Sequence, residues 1–482
     1  MRTTTRAILV ALVLILLVPN TAMAGGPGTW TRVTGEDAWF ELNLQRYGRD
    51  LHVSVREDQS ASTYRLLHRS IDGAGQVGPV QTIAQDFEYI GYYPGIVGTI
   101  GMFRILFGAK DDGDGFANST MRYVDSTDGG ETWSAPQQTG VTGGSAQSPS
   151  EMDATLDRTT GVSYQVWEGT LCICVQRGLG PQAGHTNFND VGGNNANPSI
   201  AFDSSAQHMW VSWLVFGNDL LGNEVDGLYV REVDLATGEP VGSSILVPGS
   251  YDTFNGDRVI SFQNGRVAML ERKALVGTSG VYVAYRKGYP QPNRVNLWRV
   301  GAPEAVTVAS TSSGVGEVAL AATGHLKIWA VWVSNGKIFA RRSNNAVTRW
   351  GKTVRVNVPA NSVGITTLQA DAQPLLNGKL DVLAYASKVE GSGFFHTQLR
   401  PGITFSASPS SFRRRASVVF TTKDAGAPLP GSRVTAGGKS CTTNDNGRCS
   451  LRLGPYSSNR RLGARATNSV YQPASLTLRV RA

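Results

Sequence analysis

The chain has 482 residues, of which 17% are charged and 56 are glycine. This length allows one large domain and a smaller one, and no segment after the N-terminus shows sustained helical periodicity. That pattern excludes a helical bundle and favours an all-β protein. The formal net charge of +8 is unevenly placed, because residues 405–482 carry thirteen lysines and arginines against two aspartates.

The N-terminus has the features of a secretory signal peptide. Arg2 and Arg6 precede an apolar run at residues 7–18, and the cleavage-site pattern Ala22-Met23-Ala24 follows. The apolar run is too short to span a membrane, and no later stretch is long enough either. We therefore assign residues 1–24 to the signal peptide and expect a secreted, extracellular monomer with no membrane span.

A tight turn is predicted at residues 126–133, which read Ser-Thr-Asp-Gly-Gly-Glu-Thr-Trp. Asp128 can accept hydrogen bonds from the backbone N–H groups that follow it, and Gly129 and Gly130 tolerate positive φ. The large apolar side chain of Trp133 is then expected to pack back onto the sheet. Because strand-like segments flank the octet, a hairpin is expected.

This octet resembles the Asp-box, S-x-D-x-G-x-T-W, of sialidases and other bacterial-neuraminidase-repeat (BNR) proteins. In that superfamily the box is structural: it closes the turn between the third and fourth strands of a β-propeller blade, on the face away from the active site. The resemblance implies a sialidase-like β-propeller over residues 25–404. The matching residues are Ser126, Asp128, Gly130, Thr132 and Trp133.

Pairs of hydrophobic strands separated by polar turns recur along residues 25–404. We count seven such units at intervals of roughly 50 to 60 residues, a spacing typical of four-stranded propeller blades. We therefore expect seven blades. Sialidases usually have six, which would apply here if one end unit is not a true blade. Each unit has a leading strand, and residues 258–262 are predicted to lead the fifth.

The repeat stops near Pro401-Gly402, and residues 405–482 read as a series of alternating strands. The segment that begins at Asp424 follows the pattern D-x-G-x-P-x-x-G-x-x-V-T and resembles bacterial Ig-like modules. The resemblance implies a C-terminal Ig-like β-sandwich. Such modules are spacers or adhesive domains and carry no catalytic chemistry.

Four cysteines form two close pairs. Cys441 and Cys449 flank a strong turn signal at residues 444–447, so we predict a disulfide across a hairpin. Cys172 and Cys174 lie two residues apart in a strand-like run, where their Cβ atoms would be too far apart for an unstrained bridge. We predict that this second pair remains as buried thiols.

The resemblance places a ligand site on the face opposite the Asp-box turn. Sialidases hold the sialate carboxylate there with three arginines and add a tyrosine–glutamate nucleophile and an aspartate acid/base. Only Arg258 puts an arginine at the axial start of a predicted leading strand, so the triad is not evident. Tyrosines beside carboxylates on this face suit sugar recognition, or they brace the propeller rim. The candidate ligand-binding residues are Tyr92, Tyr93, Glu151, Asp153, Asp252, Asp257 and Arg258, with Tyr89 and Tyr251 in the same loops.

Asp111, Asp112 and Asp114 lie in a glycine-rich loop of the kind that can chelate Ca²⁺. The glutamate that closes a calcium-binding loop is missing, so a solvated turn is the preferred interpretation. We predict no cofactor and no resident metal. The sequence has no metalloprotease, α/β-hydrolase or nucleotide-binding motif.

Two functions from different classes remain. The missing arginine triad favours a non-catalytic extracellular protein that recognises glycans or surface polymers. The alternative is a glycoside hydrolase of exo-sialidase type with a rearranged active site. The expected partners are glycans or anionic cell-surface polymers and not nucleic acid, because the basic C-terminal segment lacks an aromatic stacking platform.

Overall fold

A computed structural model of the chain describes its strands and most of the connecting loops. Within the described residues there is no helix long and apolar enough to cross a membrane, and all of the regular secondary structure is β-strand. The fold is therefore all-β, as predicted. The signal peptide predicted at residues 1–24 lies outside the described residues. Those residues are 28–35, 38–60, 62–99, 102–110, 119–139, 151–157, 159–169, 172–179, 185–188, 190–217, 221, 225–250, 253–254, 257–258, 268–272, 279–288, 291–323, 327–373, 378–388 and 391–481.

Between residues 31 and 399, the described part of the chain forms seven antiparallel sheets, each built on four strands. One of these sheets carries an additional short strand, and a separate hairpin consists of two strands of two residues each. The first sheet contains β2 (Ala38–Tyr47), β3 (Asp50–Asp58), β4 (Tyr64–Ile71) and β5 (Gln81–Phe87). The second contains β7 (Gly95–Thr99), β8 (Met102–Lys110), β9 (Thr120–Ser126) and β10 (Gln137–Gln138), and the added strand β6 (Tyr89–Ile90) also pairs with β8. The third contains β11 (Met152–Leu156), β12 (Ser163–Glu168), β13 (Ile173–Arg177) and β14 (His185–Asn187). The fourth contains β15 (Asn194–Asp203), β16 (His208–Phe216), β17 (Gly227–Val233) and β18 (Pro240–Leu246).

In the remaining sheets the strands again lie in chain order, except that the seventh sheet takes its fourth strand from the start of the chain. The fifth contains β21 (Ala268–Arg272), β22 (Gly280–Lys287), β23 (Arg294–Arg299) and β24 (Val306–Ser310). The sixth contains β25 (Val318–Thr323), β26 (Lys327–Ser334), β27 (Lys337–Arg342) and β28 (Val354–Asn357). The seventh contains β29 (Ser362–Ala372), β30 (Leu380–Lys388) and β31 (Gly393–Leu399), and its fourth strand is the N-terminal β1 (Thr31–Arg32).

The seven sheets form a closed ring. Their first strands β2, β7, β11, β15, β21, β25 and β29 contact one another in that order, and β29 contacts β2. A hydrophobic cluster lies between each neighbouring pair of sheets; Trp329 and Leu380, for example, share the cluster between the sixth and the seventh. Six further clusters lie between the other neighbouring pairs of sheets, and one of them joins the seventh sheet to the first. This is the arrangement of a β-propeller, and it covers both faces of each sheet, which is why strands such as β8 and β26 are almost continuously apolar.

The fifth sheet corrects one prediction. Asp257 and Arg258 form β20 (Asp257–Arg258), which pairs with β19 (Thr253–Phe254) in a separate hairpin. The two residues between these strands are Asn255-Gly256 in the sequence, a strong signal for a two-residue hairpin. Among the described residues, the first strand of the fifth sheet is β21, and Arg258 belongs to the separate hairpin and does not open that strand. Residues 259–262 of the predicted leading strand lie outside the described residues.

Two further sheets form a C-terminal sandwich. One contains β32 (Thr404–Ser408), β34 (Ala416–Asp424), β35 (Ala427–Pro428) and β38 (Arg448–Leu453). The other has the order β33 (Ser411–Arg413), β40 (Ala474–Arg481), β39 (Arg460–Thr467), β36 (Arg433–Ala436) and β37 (Lys439–Thr442). Alternating residues of both sheets point inward to one core that includes Val418, Phe420, Leu462 and Leu478.

Both cysteine pairs form disulfides. Cys441 and Cys449 are joined across the β37–β38 connection, with 6.0 Å between their Cα atoms, as predicted. Cys172 and Cys174 are also joined, so the prediction of two buried thiols is wrong. Cys172 precedes β13 and its carbonyl accepts a hydrogen bond from the Gly169 N–H. The Cα atoms of the two cysteines lie 5.3 Å apart, closer than the about 6.6 Å that two residues of an extended strand span, so the chain is contracted between them.

Candidate functional site on the axial face

The two ends of the ring carry different residues. We call the end at which each first strand begins the axial face, and the opposite end the turn face. Because each sheet is a meander, the connections between sheets and the loops from second to third strands lie on the axial face. Tyr92, Tyr93 and Glu151 precede the first strands β7 and β11, so they lie on this face.

Arg56 is a buried guanidinium near the axial end of β3. Its Nη1 donates to the Ile90 carbonyl at 2.7 Å. Its guanidinium carbon lies 5.0 Å from the ring centre of Tyr64 and 4.8 Å from that of Tyr92. The two rings hold the guanidinium by cation–π interactions. Tyr92 is half-buried and so forms part of a wall in front of Arg56.

Three glutamates meet beside Arg56, and we call them the axial carboxylate cluster: Glu41 near the start of β2, Glu151 before β11 and Glu168 at the end of β12. Burial raises the pKa of Glu41 to about 7; Arg56 opposes this rise and Glu151 adds to it. Burial and the charge of Glu151 raise the pKa of Glu168 well above its usual value, and their carboxyl groups share a hydrogen bond. Glu168 is therefore the member of this hydrogen-bonded pair whose pKa is raised, and burial beside a second carboxyl group is the reason.

Tyrosines from two further parts of the ring border the cluster. Burial raises the pKa of Tyr89, with added effects from Tyr92, Glu41 and Glu168 that Arg56 opposes. Burial also raises the pKa of Tyr385 on β30, and Glu41 adds to that rise. Both phenols therefore stay neutral at physiological pH and present a hydroxyl group.

Asn197 fixes the position of Glu151 from the fourth sheet. Its backbone N–H donates to Glu151 Oε2 at 2.8 Å. With the Asn197 amide oriented so that its nitrogen faces the carboxylate, that nitrogen also donates to both oxygens of Glu151. Asn197 has φ of 54° and lies where the pairing of β15 with β16 is irregular. The bulge therefore turns this residue toward the third sheet.

A second acid–base pair lies on the axial face between the fifth and sixth sheets. Burial raises the pKa of Glu317, just before β25, to about 7, and Arg286 opposes this rise. Burial lowers the pKa of Arg286, near the end of β22, and Glu317 opposes that change. This pairing satisfies Arg286 within the protein.

The other predicted site residues are placed differently. Tyr93 is 1% exposed and belongs to the interior. Asp153 Oδ2 accepts from Ser199 Oγ at 2.7 Å and from the Ile200 N–H at 3.1 Å, so this carboxylate connects the third sheet to the fourth. Asp257 and Arg258 lie in the separate hairpin. The remaining candidates, Tyr251 and Asp252 of the ligand site and Asp111, Asp112 and Asp114 of the calcium loop, lie outside the described residues.

The Asp-box turn lies on the turn face, between β9 and β10 of the second sheet. Asp128 Oδ1 accepts from the N–H groups of Glu131 and Thr132 at 3.0 and 2.9 Å, and Asp128 Oδ2 accepts from the Thr132 hydroxyl. Ser126 Oγ donates to Asp128 Oδ1 at 2.7 Å and accepts from the Gly130 N–H at 2.8 Å. These contacts give the octet a structural role, remote from the axial face.

Sequence reasoning missed Glu41 and Glu168, two of the three carboxyl groups of the axial carboxylate cluster, and it missed Arg56 beside them. The available signal was an ionisable residue inside or at the end of an otherwise apolar strand, as in Val166-Trp167-Glu168. Buried ionisable groups are rare and need partners, so such positions point to a site. The partners come from other sheets, and the sequence does not say which ones.

The site combines three carboxyl groups, two of them with raised pKa values, and neutral phenols beside the Arg56 guanidinium. Arg56 is engaged by Ile90, Tyr64 and Tyr92. Among the described residues of this site, the carboxyl groups therefore outnumber the cations. Such a set suits hydroxyl or ammonium groups of a ligand better than a carboxylate.

Comparison with known proteins gives structural likeness only. No family model and no curated protein sequence matches the chain. A protein of unknown function from Dyadobacter fermentans DSM 18053 aligns with 77% of this chain and 98% of its own at 10% identity, with a TM-score of 0.41. The Hadza microbial sialidase Hz136 aligns over 89% and 76% at 11% identity and 0.32. The GH43 endo-arabinanase of Bacillus licheniformis aligns over 76% and 96% at 11% identity and 0.32. Likenesses this weak carry no argument about function.

Proposed function

We propose that this is an exported glycan-recognition protein: a seven-bladed, sialidase-like β-propeller over residues 25–404, followed by an Ig-like sandwich over residues 405–482. Its axial face binds neutral or cationic glycans without cleaving them. The signal-peptide pattern and the two disulfides support export.

The axial carboxylate cluster is the observation that carries this proposal. Glu41, Glu151 and Glu168 gather on one face with half-buried tyrosines, and Arg56 is held within the protein. Carboxyl oxygens accept from sugar hydroxyl or ammonium groups, and tyrosine rings stack on the apolar faces of sugars. Among the described residues of this face, a sialate carboxylate would meet carboxyl groups and no guanidinium that lacks a partner within the protein.

The test is calorimetric titration of the intact protein with three oligosaccharides of matched length: chitosan (cationic), chitin (neutral) and a sialylated glycan. We expect the first two to bind and the third to bind at least tenfold more weakly. Tyr92→Ala and Glu151→Gln should each weaken binding about tenfold. Glu304→Gln is the matched control, because Glu304 is exposed and far from the cluster in sequence. Equal binding of all three glycans, or no effect of either cluster variant, would refute the proposal.

The alternative function is an exo-sialidase-like glycoside hydrolase with a rearranged site. The raised pKa of Glu168 beside Glu151 favours it, because a carboxyl group with a raised pKa beside a second carboxyl group serves as the acid in glycosidases. Turnover of a fluorogenic sialoside or neutral glycoside that Glu168→Gln abolishes, with binding retained, would establish this alternative. Loss of sialoside turnover in Arg258→Ala would assign a role to that residue.

A further inference from the structure

The outer face of the β33–β40–β39–β36–β37 sheet carries a row of arginines, which we call the arginine face. Their inward neighbours, such as Phe412, Leu462 and Val480, form the sandwich core. Because strand residues alternate between the two faces, the arginines share the outer one. The six exposed residues are Arg413, Arg433, Arg461, Arg465, Arg479 and Arg481.

The strand register places these arginines side by side. Arg413 lies opposite Arg481, and Arg461 lies opposite Arg479. Arg465 lies opposite Ser475, six residues along β40 from Arg481. At about 3.4 Å per residue, the row extends roughly 20 Å to Arg465 and roughly 27 Å to Arg433.

This arrangement is unfavourable for the protein alone. Like charges that face each other across a strand pair repel. Residues 405–482 contain two acids to balance thirteen cations. One of them, Asp424, is bound to Arg342 and Lys327, and the other, Asp445, lies in the β37–β38 connection. The arginine face therefore lacks an acid of its own among the described residues, and an external polyanion would relieve the repulsion.

The surface between the arginines is open and polar. Thr435, Gly463, Ser475 and Thr477 line a shallow groove of about 470 Å³ beside Arg465. Their short side chains let an extended chain lie across the sheet and reach arginines at both ends. The face has no aromatic residue on which nucleobases could stack.

We propose that the arginine face binds a linear acidic polysaccharide. Guanidinium groups bind carboxylates bidentately, and successive pairs of arginines engage successive charges of the chain. The site is separate from the axial carboxylate cluster, and its ligand has the opposite charge. The two sites would let one molecule attach to an acidic matrix through its sandwich while its propeller binds a neutral or cationic glycan.

The test is binding of the intact protein to oligogalacturonate, measured against salt concentration. The variant replaces Arg461, Arg479 and Arg481 by glutamine. The matched control replaces Lys423, Arg448 and Arg452 by glutamine, which removes the same charge from the outer face of the opposite sheet. Both sets of residues are exposed, so folding should be unaffected, and equal melting temperatures will verify this.

We expect the arginine-face variant to bind about tenfold more weakly and the slope of log Kd against log salt to fall by about three, one for each lost contact. The control should keep at least a third of the affinity. Fully methyl-esterified oligogalacturonate should not compete. Equal losses in the variant and the control, or equally tight binding of a 20-base-pair DNA duplex, would overturn the proposal, because either result would indicate non-specific attraction. The axial variants Tyr92→Ala and Glu151→Gln should still bind oligogalacturonate as tightly as the wild type, even where they lose chitosan binding.

Discussion

Gly130 of the Asp-box lies against a buried histidine pair of the neighbouring sheet. His52 Nδ1 and His68 Nε2 are 3.0 Å apart, and His68 Nδ1 is 2.7 Å from Gln81 Oε1. Trp133 Nε1 donates to the same Gln81 oxygen at 3.2 Å. The Asp-box turn of the second sheet thus also connects that sheet to the first. A single glycine at this contact permits both the turn and the close approach.

Gly130→Ala is expected to destabilise the protein more than Gly129→Ala. Both glycines have positive φ, 90° and 77°, so both substitutions carry the same backbone strain. A Cβ at Gly130 would lie 2.9 Å from His68 Cε1, whereas one at Gly129 would meet nothing within 4 Å. We expect a difference of about 1–3 kcal/mol in the free energy of unfolding by urea. Equal losses would show that the histidine pair moves aside freely.

Glu168→Gln is expected to stabilise the protein at high pH. The pKa of Glu168 is raised in the folded protein by burial and by Glu151. Between the ordinary value of 4.5 and the raised value, the unfolded chain ionises while the folded protein keeps the proton, so wild-type stability falls as pH rises. Glutamine resembles the protonated acid and removes this dependence.

Unfolding by urea at pH 5 and pH 8 measures this effect. The variant should match the wild type at pH 5 and exceed it at pH 8 by on the order of 1–2 kcal/mol. Glu304→Gln, at an exposed position, should behave like the wild type at both values. A variant that is less stable than the wild type at pH 8 would contradict the raised pKa of Glu168.

At the scale of elements, β1 closes the ring. Thr31 and Arg32 pair with His396 and Phe395 of β31. Arg32 also donates to the carbonyls of Thr34 and Ser392 at 2.8 and 2.6 Å. The seventh sheet therefore combines strands from both ends of the ring-forming chain, and its outer edge is covered. Closure of this kind removes the one break in an otherwise continuous ring.

A protein that begins at residue 36 should lose stability relative to one that begins at residue 28. The shorter form lacks β1 and the Val33 side chain, which is 2% exposed and packs in the cluster between the seventh and first sheets. We expect a loss of about 2–4 kcal/mol in the free energy of unfolding and faster amide hydrogen exchange in β31. Unchanged exchange in β31 would show that β1 does not hold the ring closed.

Strand pairs were predictable from sequence, while closure and the site were not. Apolar runs and turn residues such as Asp128 and Gly130 are local signals, and they indicated repeated hairpins. The pairing of β1 with β31 joins residues more than 360 positions apart and leaves no local pattern. The fifth sheet was misread because a hairpin signal at Asn255-Gly256 precedes its first strand. Glu41 and Glu168 acquire their character from burial against other sheets, which no local pattern encodes.

At the scale of the whole molecule, a buried ionic contact connects the ring to the sandwich. Asp424 Oδ2, at the end of β34, accepts from Arg342 Nη2 of the sixth sheet at 2.7 Å and from Lys327 Nζ at 2.6 Å. The Tyr471 hydroxyl donates to the same oxygen at 3.0 Å. Burial acts to raise the pKa of Asp424, but the charges of Arg342 and Lys327 outweigh it and lower the pKa. The Asp424 carboxylate is therefore ionised at neutral pH.

Asp424→Asn should uncouple the sandwich from the ring. The substitution leaves the Arg342 side chain, 5% exposed, without its counter-ion, and loss of one partner of a buried pair costs about 3–5 kcal/mol. Scanning calorimetry should then show two thermal transitions where the wild type shows one. Asp445→Asn is the matched control, since Asp445 is the other acid of this region and is exposed.

The stability that Asp424 contributes depends on pH with a defined sign: the depressed pKa means that this stabilisation is present above the ordinary aspartate value of 3.8 and is lost as pH falls below it. Wild-type protein at low pH should therefore reproduce the two transitions of the variant, and a single transition in the variant at neutral pH would show that apolar contacts alone hold the two parts together.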